Sequence, residues 1–216
     1  MALRTISMLK DLRGKRVLLR IDFNIPVPKR GRIGDADIMK LGASVPTIEY
    51  LRKAGAAVVI ISHLGRPGGV RRRALSLAPI AARLAEILGS KVAFIKDDLR
   101  KPGAIEKRLS SMADGDVALL ENIRFYPEEE KNSASFARRL AALADIFVND
   151  AFAACHRTHA STVGVAKLLP SYAGHLMERE VQSLGRLLKK PKHPFVILLG
   201  GAKVSTKLPM LANLLK

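Results

Sequence analysis

Aspartate, asparagine, histidine and arginine recur at one kind of place in this sequence, just after short apolar runs. Residues 16–21 lead into Asp22 and Asn24, within Arg-Ile-Asp-Phe-Asn-Ile-Pro. Residues 57–62 lead into Ser-His-Leu-Gly-Arg-Pro, with His63 and Arg66. Residues 116–120 lead into Glu-Asn-Ile-Arg-Phe-Tyr-Pro, with Arg124. Residues 145–148 lead into Asn-Asp-Ala-Phe-Ala-Ala-Cys-His-Arg-Thr-His, with His156, Arg157 and His159. Arginine grips phosphate and carboxylate in a planar fork. Aspartate accepts from hydroxyls, and asparagine both donates and accepts. Together these groups suit a small, multiply charged ligand that carries hydroxyls.

A further signal lies near the end, in Phe-Val-Ile-Leu-Leu-Gly-Gly-Ala-Lys-Val-Ser-Thr-Lys. It reads as a buried strand, a turn at Gly200 and Gly201, and a helix opened by Lys203 and Lys207. Glycines let backbone N–H groups approach an anion, and a helix N-terminus favours negative charge. The spacing is not that of a Walker A loop.

Each of these residues taken singly has an ordinary structural reading. An arginine near a strand end is commonly a surface charge, and Gly200-Gly201 alone is a plain tight turn. His156 and His159 form an H-x-x-H without a suitably spaced third ligand, so no metal site is expected. Cys155 reads as a small buried loop residue rather than half of a Cys–His dyad. The pattern gains force from its repetition at equivalent ends of successive units.

The positioning elements follow from hydrophobic periodicity. Runs at 16–21, 57–62, 91–95, 116–120, 145–148 and 195–199 are continuous rather than alternating, as strands buried on both faces require. Helical spacing appears at 44–54, ending before Gly55, and at 78–88, ending before Gly89. A third stretch, 133–143, has Asn132 or Ser133 as its N-cap. Strand–helix–strand units of this size predict an α/β fold: a Rossmann-like parallel sheet between two helical layers. Ligands on such sheets bind beyond the carboxyl ends of the strands, where the polar residues fall. A long amphipathic helix over 174–190 precedes a break, from Lys189 to Pro194, with two prolines.

Composition narrows the partner. The chain has 216 residues, with 37 Lys and Arg against 19 Asp and Glu, a net charge of +18. That excess implies an anionic partner without choosing which one. A single cysteine cannot form a disulfide within the chain, so a reducing compartment is expected. Apolar runs fall far short of the ~20 residues that span a bilayer. Lys10, Asp11 and Arg13 interrupt any signal-peptide pattern, so a soluble, cytoplasmic protein without a membrane partner is expected. No Trp and three Tyr leave little surface for stacking bases.

On the motifs quoted above, with Pro170-Ser-Tyr-Ala-Gly174 in the same order, the sequence closely resembles the phosphoglycerate kinase family from about Leu12 onward. The resemblance implies the N-terminal lobe of a two-lobed enzyme. It implies a substrate-binding domain over 1–175, a hinge helix and linker over 176–194, and over 195–216 the start of a nucleotide-binding domain. The implied reaction moves a phosphoryl group between 1,3-bisphosphoglycerate and ADP, giving 3-phosphoglycerate and ATP. The family's acid-substrate residues fall on Asp22, Asn24, Lys40, His63, Arg66, Arg124 and Arg157. Gly200, Gly201, Lys203 and Lys207 fall on the nucleotide side, with Lys203, Arg66 and Lys40 as the implied catalytic group. Phosphoryl transfer relies on positioning and spread positive charge.

Two residues depart from the family pattern. Lys40 stands where the family usually has arginine, a point charge in place of a fork. Thr206 stands where an aspartate is usual, removing a carboxylate near the metal and phosphates. Mg2+ with ADP or ATP is implied for the complete enzyme, and neither is expected to bind this chain tightly. These 216 residues are therefore expected not to catalyse the transfer alone. The segment 195–216 is too small to bury its own core; it is expected to dock on the first lobe, pair with another chain or remain mobile. The competing reading is a non-catalytic anion- or nucleic-acid-binding module on the same fold, suggested by the charge. Few aromatics, and basic residues gathered at strand ends, weigh against nucleic acid.

Overall fold

The computed structural model describes residues 3–27, 33–101, 103–189, 194–196 and 198. Six strands form one sheet: β1 (Arg16–Arg20), β2 (Ala57–Ile61), β3 (Val92–Ile95), β4 (Val117–Leu120), β5 (Ile146–Asn149) and β6 (Ser171–Ala173). Their order is β3-β4-β2-β1-β5-β6, and every pairing is parallel. The helices are α1 (Asp35–Gly42), α2 (Val45–Lys53), α3 (Ala78–Leu88), α4 (Ala104–Ser110), α5 (Pro127–Glu130), α6 (Ala134–Ala141) and α7 (His175–Lys189).

Alternation along the strands builds two cores. Val17, Leu19, Val58, Ile60, Leu119 and Val148 face α2 and α3, packing with Ile48, Leu51, Ile80 and Leu84. Leu18, Val59, Ile61, Ala118, Leu120 and Phe147 pack on the opposite face with Ile105, Leu109, Phe136 and Leu140 of α4 and α6. This is the expected helix–sheet–helix arrangement, and it explains the continuous apolar runs: successive side chains enter different cores.

Register aligns the site. Arg20 lies opposite Ile61 of β2 and Asn149 of β5. The residues that follow these three strands therefore emerge side by side. The chain steps from β1 to β2 on one side, while β5 joins β1 on the other. That reversal opens a crevice at the carboxyl end of β1.

Several elements differ from expectation. The expected strand at 195–199 and helix beyond it lie largely outside the described residues. The sixth strand is instead the three-residue β6 at the sheet edge. α1 and α4 carry too few periodic residues to stand out beforehand. Helix α3 has the expected bounds, closed by Gly89 in the left-handed region at φ 59°. Ser133 is the N-cap of α6 by position, but its hydroxyl meets Ser135 rather than a backbone N–H. By internal contacts the chain divides into Met1–Glu178 and Arg179–Lys216, a division within α7. No helix among the described residues is long and apolar enough to cross a membrane.

Candidate functional site

A cavity of about 240 Å³ opens at the carboxyl rim of the sheet. Asp22, Asn24, His63, Gly65, Arg66, Arg124, Ala153, Ala154 and Arg157 line it. Six of the seven expected acid-substrate residues thus meet in one wall, from the ends of β1, β2, β4 and β5. Its volume lies below the roughly 300–1,000 Å³ of drug-sized sites, a fit for a small metabolite.

Each group is held by its neighbours. Asp22 Oδ1 accepts from the Asn24 backbone N–H at 2.9 Å, turning the chain after β1. Asn24 Oδ1 accepts from Gly65 N–H at 2.8 Å, joining this turn to the loop after β2. Gly65 has φ +63°, and a Cβ there would lie 2.9 Å from Leu75 Cδ2. Glycine is needed for both conformation and space. Arg124 sits in a short 3-10 turn, Ile123–Phe125. Its Nη1 donates to Gly65 O at 2.9 Å. Its Nε is buried without a hydrogen bond, with Glu130 Oε1 at 3.5 Å. Arg66 is exposed at the rim and Arg157 is half-buried.

Lys40 does not line the cavity. From the last turn of α1 its Nζ donates to Asn24 O at 3.0 Å and stands 3.6 Å from Asp22 Oδ1. It holds the turn that presents Asp22 and Asn24. Gly200, Gly201, Lys203 and Lys207 lie outside the described residues.

The arrangement leaves an array of guanidiniums around a space with one carboxylate, Asp22. Burial and the nearby Arg20 and Arg124 push the His63 pKa down to about 2, so the ring is neutral at physiological pH. An anion entering meets three forks, a neutral imidazole and the Asp22–Asn24 pair. The latter suits a hydroxyl.

Three supporting residues escape sequence reasoning. Asn122, fully buried, donates from Nδ2 to Leu64 O at 2.8 Å and Leu75 O at 2.9 Å. Its Oδ1 accepts from Leu64 N–H and Arg124 N–H. Glu129 is also fully buried. Arg20 is 1% exposed at the end of an apolar strand, and a charge in such a run was the available signal.

The H-x-x-H pair separates: His156 is exposed, while His159 is buried with Nδ1 3.7 Å from Glu129 Oε1. Among the described residues no three His, Cys, Asp or Glu side chains gather as a metal site. Cys155 is exposed rather than buried as expected. The turn after Phe152–Ala154 buries Ala154 and turns Cys155 outward.

Comparison with known proteins gives one family and one fold. The phosphoglycerate kinase family pattern matches residues 6–216. Phosphoglycerate kinase of Borrelia garinii subsp. bavariensis is 50% identical over 215 residues, covering 100% of this chain and 53% of its own length. That of Pelotomaculum thermopropionicum is 52% identical with the same coverage. The structure of the Coxiella burnetii phosphoglycerate kinase superposes with a TM-score of 0.84 at 40% identity, over 99% of this chain and 52% of that one. The Pyrococcus horikoshii enzyme gives 0.85 at 34% identity, with the same shares. The chain spans about half the length of the curated relatives it matches.

Proposed function

The chain belongs to the phosphoglycerate kinase family, and from that membership we propose that its described part is the acid-substrate half of the transfer site. It binds 3-phosphoglycerate or 1,3-bisphosphoglycerate in the cavity at the carboxyl ends of β1, β2, β4 and β5. The reaction moves the acyl phosphoryl group of 1,3-bisphosphoglycerate to ADP, giving 3-phosphoglycerate and ATP. The observation that carries this reading is the convergence of Arg66, Arg124, Arg157, His63, Asp22 and Asn24 on one small cavity.

The three arginines hold the phosphate and carboxylate, and Asp22 with Asn24 orients the hydroxyl. Arg66 and Lys203, with Lys40 behind Asp22, spread positive charge over the moving phosphoryl. Gly200, Gly201 and Lys207 take the nucleotide phosphates. Mg2+ accompanies ADP or ATP and neutralises phosphate charge, but the described residues do not fit a metal site, so no step here is assigned to the ion. Adenosine contacts belong to a second lobe of the kind the longer relatives have room for. The reading places the protein in the cytoplasm.

Calorimetric titration tests this at physiological salt, with 3-phosphoglycerate and with duplex DNA. Saturable acid binding is expected, weakened about 10-fold or more by Arg66→Ala or Arg157→Ala as a charged hydrogen bond of roughly 1.5–3 kcal/mol is lost. Strong, salt-dependent DNA binding indifferent to those substitutions, without acid binding, would overturn it in favour of a nucleic-acid module.

A further inference from the structure

A second layer of polar groups lies directly behind the cavity wall. Arg20 spends its guanidinium in three directions. Its Nε donates to Ser161 Oγ at 3.1 Å, and Nη1 donates to the Ile21 carbonyl. Its Nη2 lies 2.9 Å from His63 Nδ1. Behind Ser161 stands Glu129: Oε1 lies 2.5 Å from the Ser161 hydroxyl and Oε2 accepts from the Ser161 N–H at 2.9 Å. All four residues are buried.

The direction of every bond in this chain follows from its end groups. A guanidinium has donors and no acceptor, so His63 Nδ1 must present its lone pair. Ser161 Oγ therefore accepts from Arg20 Nε, and its own hydroxyl hydrogen is left to donate a hydrogen bond to Glu129 Oε1. A neutral imidazole carries one ring proton. With Nδ1 occupied as an acceptor, that proton sits on Nε2. The ring lines the cavity, and Nε2 has no protein hydrogen bond among the described residues.

We propose that Arg20 is a positioning residue that sets the tautomer of His63, so that Nε2–H faces the cavity as a fixed donor to the bound acid, with Ser161 and Glu129 holding Arg20 in place. The proposal rests on the reading of the cavity as an acid-substrate site. The other tautomer would aim a lone pair at an anion's oxygen and replace attraction by repulsion. A protonated ring would set donor against donor at Arg20. The charged groups around His63 oppose protonation as well: Arg20 from β1, Arg124, Lys40 and Arg157 are all cationic. Arg66 and Asp22 share the cavity, and Asp22 is engaged with Lys40. The site thus gains a hydrogen-bond donor whose state does not change across physiological pH.

Two-bond 1H–15N correlation spectra of histidine-labelled protein, without ligand, read the tautomer directly, and His63→Gln assigns the signal. Between about pH 5 and 8, His63 is expected to show a bare Nδ1 and a protonated Nε2 with no titration. A protonated Nδ1, or an imidazolium in that range, would overturn the proposal. Arg20→Gln supplies the second readout, because glutamine accepts as readily as it donates. In that variant the His63 signals are expected to become a tautomer mixture that titrates. Affinity for 3-phosphoglycerate is expected to fall about tenfold and become pH-dependent. A folded Arg20→Gln protein with an unchanged tautomer would reduce Arg20 to a structural role and overturn the proposal. If that variant does not fold, the wild-type spectrum still decides. Correct tautomer without acid binding would sink the functional reading instead, and acid binding with Nδ1–H would sink only the tautomer assignment.

Discussion

Asn122 and Glu129 show what burial demands of single side chains. Asn122 uses both amide hydrogens and its oxygen on backbone groups of two loops, so it fastens the loop after β2 to the loop after β4. Truncation would leave the Leu64 N–H and carbonyl, the Leu75 carbonyl and the Arg124 N–H without this partner. At roughly 1–3 kcal/mol per orphaned group, partly relieved by water, Asn122→Ala is expected to cost about 3 kcal/mol. Urea denaturation reads that loss, and acid affinity should fall with it because Arg124 and Leu64, the residue after His63, lose their shared tie. A variant of wild-type stability would show that water replaces the amide. The Asn-Ile-Arg triplet was legible as part of a site, but the motif named Arg124 and not the residue that places it. Nothing in Glu-Glu-Glu distinguished Glu129, because local sequence does not say which member of an acidic turn faces inward.

At the scale of elements, the start of α7 is the most constrained junction. Asp150, just beyond β5, is fully buried and accepts from Met177 N–H at 3.0 Å. Thr47 of α2 accepts from His175 N–H at 3.0 Å. Two of the helix's unpaired N–H groups are thus met from outside it. Gly174 permits this, since a Cβ there would lie 2.3 Å from Asp150 Oδ1. Asp150→Ala and Gly174→Ala should therefore produce one signature by opposite means, removing the cap or pushing it away. Amide exchange at Leu176, Met177 and Glu178 is expected to quicken about 5- to 30-fold in each, matching a cap of ~1–2 kcal/mol. Unchanged protection in both would show that α7 is held elsewhere. Helices α2 and α3 were legible because their periodicity and closing glycines agree. β6 was not, because three residues carry no period and its identity as a strand comes from pairing with β5.

For the whole molecule, buried titratable groups set opposing responses to pH. An unfolded chain protonates His63 near its ordinary value of 6.5, while the folded ring resists until about 2. Within that window the unfolded state binds more protons, so stability falls as the solution is acidified. His159, lowered by burial, acts in the same direction. Burial raises Glu129 and Asp150. Each keeps a proton that the unfolded chain has lost, so their contribution declines as pH rises through the interval above the ordinary carboxylate value. The His63 contribution alone is expected to amount to about 2 kcal/mol between neutral pH and pH 5. His63→Gln should remove it, and urea midpoints for the two proteins at pH 5 and 7.5 measure the difference. Equal acid sensitivity in both would assign the loss to other groups.

Layer order, the parallel sheet and the family were legible in the residues alone, because burial on both faces demands continuous apolar strands and the motifs follow their ends. Those motifs also named six of the residues that line the cavity. Packing in three dimensions was needed to show that Lys40 braces Asp22 and Asn24 rather than lining the cavity, that Cys155 faces outward, and that Arg20, Ser161 and Glu129 form a bonded chain behind His63. Those outcomes depend on the directions of side chains up to 141 positions apart in sequence. Direction emerges only when packing removes water and leaves each donor one acceptor within reach.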